Sequence, residues 1–245
     1  MPSKPSQIAM TKAVPPEDLS VVFQPIVDLR SRKVFAHEAL VRCKTPGLES
    51  PPKLFEHAVA NGYSGRLGRQ IRELTVQGCR GVPVFTNVHP DELGQRFLVQ
   101  PDDPIFGHDS DIYIEITESV PFSHYDRCVS VLSELRTRGS VHLVIDDLGS
   151  GFSNLKRIVD LQPRVVKLDM ALIRGLDRKP RQQLLVRSIV SMCEAQGAAV
   201  VAEGIETVAE LTAVIDAGCP YGQGYVLARP SFPPPPLVWP SSKPV

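Results

Sequence analysis

Two aspartates stand side by side at the end of an apolar run in VIDDLGSGFSNL, residues 144–155. Adjacent anions repel each other and resist burial, so a site that keeps Asp146 and Asp147 together needs positive charge nearby. Other acids end strand-like runs in the same way: Glu38, Glu115 and Glu203, with Glu118 and Glu206 a few residues further on. Asn87 and Lys167 share that position, and Gln24 and Gln223 fall beside it. Gathered on one rim, these groups make an all-oxygen site for hard divalent cations, Mg²⁺ or Mn²⁺ rather than zinc, with Asn87 lending a carbonyl. The paired aspartates suit two ions, one carboxylate bridging and the other holding the second ion. Two such ions lower the pKa of a shared water and steady the charge developing on a phosphodiester, so phosphodiester hydrolysis is the chemistry expected. Lys167 is expected to orient or deprotonate that water. Taken singly, an acid at a strand end is more often a helix cap or surface residue, and Lys167 alone could be a salt-bridge partner. It is their coincidence on one rim that favours metal.

That rim exists only if the chain alternates strands and helices. Strand-like runs are VVFQPIV (21–27), KVFAHEALVR (33–42), VPVFTNV (82–88), DIYIEIT (111–117), VHLVIDD (141–147), RVVKLD (164–169), AAVVAEG (198–204) and YGQGYVL (221–227). Helical patterns separate most of them: one opening at Ser50-Pro51-Pro52, one over 64–79, and others over 122–138, 180–196 and 207–217. Gly139, Gly197 and Gly218 sit where a left-handed cap would close the last three. Eight strands in this order predict an α/β fold, a (β/α)₈ TIM-like barrel whose active site lies at the C-terminal strand ends. A doubly wound open sheet is the alternative. Only Leu29–Arg32 separates the first two strands, too few residues for a parallel crossover. The first strand is therefore expected antiparallel, with Gln24 opposite about residue 37 and so beside Glu38.

Composition narrows the function classes. The chain has 245 residues, 42% hydrophobic and 22% charged, enough for a full core. Lys+Arg and Asp+Glu are 27 each, so no global charge favours a nucleic-acid polymer or an anionic membrane. Five dispersed cysteines without a CxxC pair read neither as a disulfide framework nor as a zinc site, and a reducing cytoplasm is expected. No run approaches the ~18 apolar residues of a membrane span. Residues 1–18 are expected to form a flexible lead-in, 19–230 the barrel, and 231–245 a proline-rich extended tail that Trp239 could pin to the domain. Two decoys are set aside. GSGFSN (149–154) lacks the third glycine of a dinucleotide fingerprint, and His108-Asp109 lies in a polar loop without partner histidines.

With these residues assembled, the sequence resembles the EAL-domain family of cyclic di-GMP phosphodiesterases. The naming tripeptide is Glu38-Ala39-Leu40, followed by NVHPDEL (87–93), EITES (115–119), DDLGSGFSNL (146–155), VKLD (166–169), AEGIET (202–207) and GQGYVLARP (222–230). The resemblance spans about residues 20–230. It implies the same barrel and conversion of cyclic di-GMP to linear pGpG in bacterial second-messenger signalling, with two Mg²⁺ or Mn²⁺ ions per site. It assigns Glu38, Asn87, Glu115 and Asp146 to the first metal, and Asp147 and Glu203, with Asp146 bridging, to the second metal or its water. Lys167 would position or deprotonate the nucleophile, and Gln223 would hydrogen-bond the water. Gln24, Leu40 and Arg42 would face substrate, Arg42 towards a phosphate oxygen. Glu118 would anchor the loop after the aspartates, and Glu206 lies nearby without a firm role. A homodimer is implied, and Ca²⁺ is expected to bind but inhibit.

The sequence departs from the family pattern at Cys43, where an aromatic is usual, and at Leu148, where Phe is usual; residues 43–65 follow the pattern only loosely. None of these removes an expected ligand. Two other functions stay open: a receptor that binds cyclic di-GMP without turnover, and a protein-interaction module.

Overall fold

A computed structural model describes residues 13–93, 97–117, 125–137, 140–150 and 155–240. The strands are β1 (Leu19–Asp28), β2 (Lys33–Cys43), β3 (Val84–Asn87), β4 (Ile112–Thr117), β5 (Val141–Leu148), β6 (Val165–Leu168), β7 (Ala199–Ala202) and β8 (Tyr221–Gly222). They close into a barrel in sequence order. β1 runs antiparallel to both β2 and β8, and every other pairing is parallel. The short link closes the expected hairpin, and Asp28 and Arg32 shape its turn. Asp28 Oδ1 accepts the amides of Arg30 at 2.9 Å and Ser31 at 2.7 Å, and Arg32 takes a left-handed φ of 56° to turn the chain back.

The helices are α1 (Pro51–Ala60), α2 (Ser64–Gly78), α3 (Pro90–Leu93), α4 (Tyr125–Arg136), α5 (Lys156–Leu161), α6 (Met170–Ile173), α7 (Pro180–Ala195) and α8 (Val208–Asp216). Ser50 caps α1 with Pro51 at its first position, and α7 also begins on proline. Past the ends of α7 and α8, Gly197 and Gly218 have φ of 77° and 86°, a region that costs any other residue a Cβ clash. The cap expected at Gly139 lies outside the described residues. Three short helices, α3, α5 and α6, were not individually legible as periodic runs.

One expected strand is much shorter than its pattern. Of 221–227 only Tyr221–Gly222 pairs. Beyond them the chain presses against the backbone of Ile205, where a Cβ on Gly224 would overlap main-chain atoms. The carbonyl of Gly224 then accepts from Leu227 and Ala228 in a tight turn. The tail returns along β1. Phe23 and Ser231 exchange backbone hydrogen bonds at 2.8 and 3.0 Å, and the Arg32 guanidinium lies 5.0 Å from the Trp239 ring centre.

Side chains alternate across a strand, so residues two apart share a face. Inside the barrel the lower layer is apolar: Ile26, Ala36, Phe85, Tyr113, Val144, Val165 and Val201, closed from below by Phe35 and Tyr221. Phe85 and Tyr113 stack at 4.3 Å with their planes 7° apart, and Phe35 stacks on Tyr221 at 4.3 Å. Two residues along each strand towards the C-terminal rim stands a polar group. Outside, two apolar clusters join the strands to the helices.

Candidate functional site

The upper interior layer consists of Gln24, Glu38, Asn87, Glu115, Asp146, Lys167, Glu203 and Gln223, one from each strand or the residue just beyond it. Register sets them in staggered pairs, since Glu38 lies opposite Phe85 and Asp146 opposite Thr117. Gln24 pairs with Glu38, one residue from the expected position, and Asn87 pairs with Glu115. Asp146 and Asp147 need a special device, because neighbours on a regular strand face opposite sides. β5 supplies it as a bulge against β6: Ile145 pairs with Val166 and Leu148 with Leu168, so both aspartates oppose Lys167 alone. Asp147 adopts φ 60°, which an aspartate tolerates better than most residues, and its amide donates to Asp146 Oδ1 at 2.9 Å. Oxygens of Asp146, Asp147 and Glu203 thereby come within 4.8 Å of one another.

Lys167 is the hub. Its Nζ lies 2.6 Å from Glu115 Oε1, 2.6 Å from Glu203 Oε1, 3.3 Å from Asp146 Oδ1 and 3.4 Å from Glu38 Oε1. The lysine is 1% exposed and Glu115 fully buried. Asn87 donates to Glu115 Oε2 at 2.8 Å and to Glu38 Oε1 at 3.4 Å. Gln223 donates to Glu38 Oε2 at 2.7 Å and to Gln24 Oε1 at 3.2 Å, and Gln24 donates to the carbonyl of Ala228 at 3.0 Å.

One ammonium faces four carboxylates here, with Asp147 close by. Burial holds Glu115 well above the usual carboxylate range, and repulsion from Glu38 adds to it. Burial also raises Glu203, with Lys167 opposing and the charges of Asp146 and Glu38 adding to the rise. Burial and the neighbouring Asp146 push Asp147 up to about 6. Desolvation works against the charge on Lys167, but Asp146, Glu115 and Glu203 outweigh it and hold its pKa above the usual lysine value. Negative charge therefore exceeds what the protein itself neutralises. Gln223 Oε1 is buried without a hydrogen-bond partner among the described residues. An oxygen-only donor set with surplus charge and an idle carbonyl fits a hard divalent cation and its water.

The other expected residues are placed less centrally. Leu40 and Arg42 follow Glu38 on the same face of β2; Arg42 is half-buried and its guanidinium donates to the carbonyl of Val41 at 2.9 Å. Glu206 is exposed and pairs with Arg174 at 3.0 Å. Glu118 lies outside the described residues. Two cavities meet at the rim. One, of about 300 Å³, is lined by Gln24, Glu38, Asp147, Glu203 and Gln223. The other, of about 720 Å³, is lined by Phe55, Asn87, His89 and Pro90, and both touch Leu40 and Asp147. Phe55 and His89 stack in its wall with ring centres 5.5 Å apart. His108-Asp109 does structural work away from the rim: His108 Nε2 lies 2.9 Å from the carbonyl of Val82, and Asp109 accepts the amide of Gly81.

Sequence reading missed two groups that brace this site. Arg72, Glu92 and Asp103 form a fully buried ion triad, and no local pattern links their distant positions. Glu210 ties the turn after Glu203 to the segment before α7. Its signal was readable, since Thr207 and Glu210 have capping-box spacing and form that box.

A closed eight-stranded barrel with polar groups massed at the C-terminal strand ends belongs to the TIM-like barrels that build active sites on that rim. Within that class the EAL domain matches residues 9–230, and the chain belongs to the EAL-domain family. It is 30% identical over 237 residues to the cyclic di-GMP phosphodiesterase NbdA of Pseudomonas aeruginosa, covering 90% of this chain and 30% of NbdA. It is 28% identical to the cyclic di-GMP phosphodiesterase RocR of the same organism, covering 92% of this chain and 61% of RocR. The chain thus spans less than two thirds of these curated relatives. Among solved structures it is similar to Klebsiella pneumoniae BlrP1 in a manganese/cy-diGMP complex, with a TM-score of 0.76 and 28% identity over 93% of this chain and 58% of that one.

Proposed function

We propose that this chain hydrolyses cyclic di-GMP to linear pGpG, with two divalent ions held at the C-terminal rim of the barrel. The observation that carries the proposal is the ring of four carboxylates about Lys167, with Asn87 and Gln223 hydrogen-bonded into it. Relatives named as cyclic di-GMP phosphodiesterases, and a similar barrel bound to manganese and that nucleotide, support the choice of substrate and metal.

Glu38, Asn87, Glu115 and Asp146 would hold one ion; Asp146, Asp147 and Glu203 would hold the other. When bound, Mg²⁺ or Mn²⁺ would acidify water and neutralise charge developing on the phosphate. The protein supplies the remainder. Lys167, engaged by several acids at once, sets the spacing of the donors, a positioning role rather than that of a free base. Gln223 offers its idle carbonyl to a water proton while its amide holds Glu38 in place. The two cavities meeting at Leu40 and Asp147 leave the acid layer between two lobes, a shape suited to a ligand with two bases joined by phosphates. Gln24, Leu40 and Arg42 would border the nucleotide, and the pairing of Glu206 with Arg174 would steady the rim beside it. The assembly proposed is a homodimer in a reducing cytoplasm, consistent with the four buried free thiols among the described residues.

The test is incubation of purified protein with cyclic di-GMP and Mg²⁺ or Mn²⁺, with products separated by chromatography and size-exclusion measured alongside. pGpG that forms only with metal supports the proposal. Tight nucleotide binding without turnover would favour the receptor function instead.

A further inference from the structure

Arg72 is the largest fully buried side chain among the described residues. Its Nη1 donates to Glu92 Oε2 at 2.6 Å, and its Nη2 and Nε donate to Asp103 Oδ2 at 2.8 Å and Oδ1 at 3.1 Å. All three side chains are 0% exposed. The triad joins α2 to α3 and to the turn that follows it at Asp103. Gly68, one helical turn before Arg72, makes the space, since a Cβ there would overlap the Glu92 carboxylate. Ion pairs this deep are an inefficient source of stability, because well-packed apolar residues of equal volume hold a fold as well or better. What the charges add is direction. The second oxygen of Glu92, Oε1, accepts the amide of His89 at 2.9 Å. His89 is two residues past Asn87 and stacks on Phe55 in the wall of the larger cavity.

We propose that Glu92 is a positioning residue, clamped by Arg72 through one oxygen and using the other to fix the 87–93 turn. The clamp aims Asn87 into the acid layer and sets His89 against Phe55. Its effect on metal rests on the reading of Asn87 as a ligand; its effect on the turn does not.

The full chain is compared with Glu92→Gln, Glu92→Met and the apolar triple variant Arg72→Met/Glu92→Met/Asp103→Leu. The readouts are Mn²⁺ affinity by calorimetry, melting temperature, and hydrogen exchange of the 87–93 amides. Loss of an outer-shell partner costs about 10–100-fold in metal affinity. Glu92→Met is expected in that range, with faster exchange confined to the turn. Glu92→Gln keeps an acceptor for His89 and is expected to recover part of the affinity. The triple variant is expected to melt near the wild type while still binding Mn²⁺ weakly, which a purely structural triad would not produce. If it does not fold, the single variants decide the matter. Unchanged Mn²⁺ affinity and turn exchange in Glu92→Met, whatever its melting temperature, would overturn the inference. Wild type that binds no Mn²⁺ would overturn the proposed function instead, and the clamp would then stand or fall on turn exchange alone.

Discussion

Lys167 Nζ lies 2.6 Å from Glu115 Oε1, although the two strands that carry them are separated by β5. The lysine reaches across the barrel interior to a carboxylate that has no solvent to fall back on. Removing one partner of such a buried pair leaves an uncompensated charge, a loss of about 3–5 kcal/mol. Lys167→Met is therefore expected to unfold at lower urea concentration in metal-free buffer near neutral pH. Added Mg²⁺ or Mn²⁺ should restore part of the loss, because a cation replaces the ammonium. Equal stability of variant and wild type without metal would show that the acid layer does not depend on this lysine.

Glu38 sits where three donors converge: Gln223 at 2.7 Å, Asn87 at 3.4 Å and Lys167 at 3.4 Å. Its removal deletes a proposed ligand and frees the side chains that orient its neighbours. Glu38→Ala is expected to lower hydrolysis of cyclic di-GMP by more than the ~10–100-fold typical of an outer-shell loss, with an unchanged circular-dichroism spectrum. Substantial turnover in the folded variant would remove Glu38 from the ligand set.

Calcium separates binding from chemistry. The site offers only oxygen donors, which calcium accepts, but its larger and looser coordination shell holds a nucleophile less closely than magnesium does. Ca²⁺ is expected to compete with Mn²⁺ for the protein in calorimetry while supporting little turnover. Comparable rates with Ca²⁺ and Mg²⁺ would count against the proposed mechanism.

Much of this architecture was legible because it follows from period and position. Alternation gave the eight strands, the four-residue link at Leu29–Arg32 forced the antiparallel pair, and polar residues at strand ends marked the rim. What period alone does not encode is how neighbouring side chains share a face. Asp146 and Asp147 stand side by side at the end of an apolar run, yet a regular strand would part them; the bulge and the left-handed Asp147 that reunite them depend on pairing with β6. β8 failed as a seven-residue strand because its later residues answer to a close approach by Ile205, a tertiary contact. The Arg72 triad was invisible for the same reason. In sequence it is an arginine inside a helix and two acids 20 and 31 residues away.

Glu210 connects acid titration to the shape of the rim. Its Oε1 accepts the amide of Gly175 at 2.7 Å, and its Oε2 accepts those of Glu206 and Thr207 at 3.0 Å each. Burial alone would raise its pKa, but these amides outweigh burial and hold it below the usual 4.5. A carboxylate depressed in the folded state stabilises the fold above its unfolded pKa and loses that contribution as the pH falls through the folded value. Hydrogen bonds to a charged acceptor contribute about 1.5–3 kcal/mol each net. Gln keeps one neutral oxygen acceptor for these amides but loses the charge, so Glu210→Gln is expected to lose at least about 1.5–3 kcal/mol near neutral pH. The melting-temperature gap between wild type and Glu210→Gln should be full at neutral pH and narrow progressively below about 4.5, as protonation deprives the wild type of the same charge. A gap that stays constant down to the acid limit of folding would mean that shape, not charge, is what Glu210 contributes to this turn.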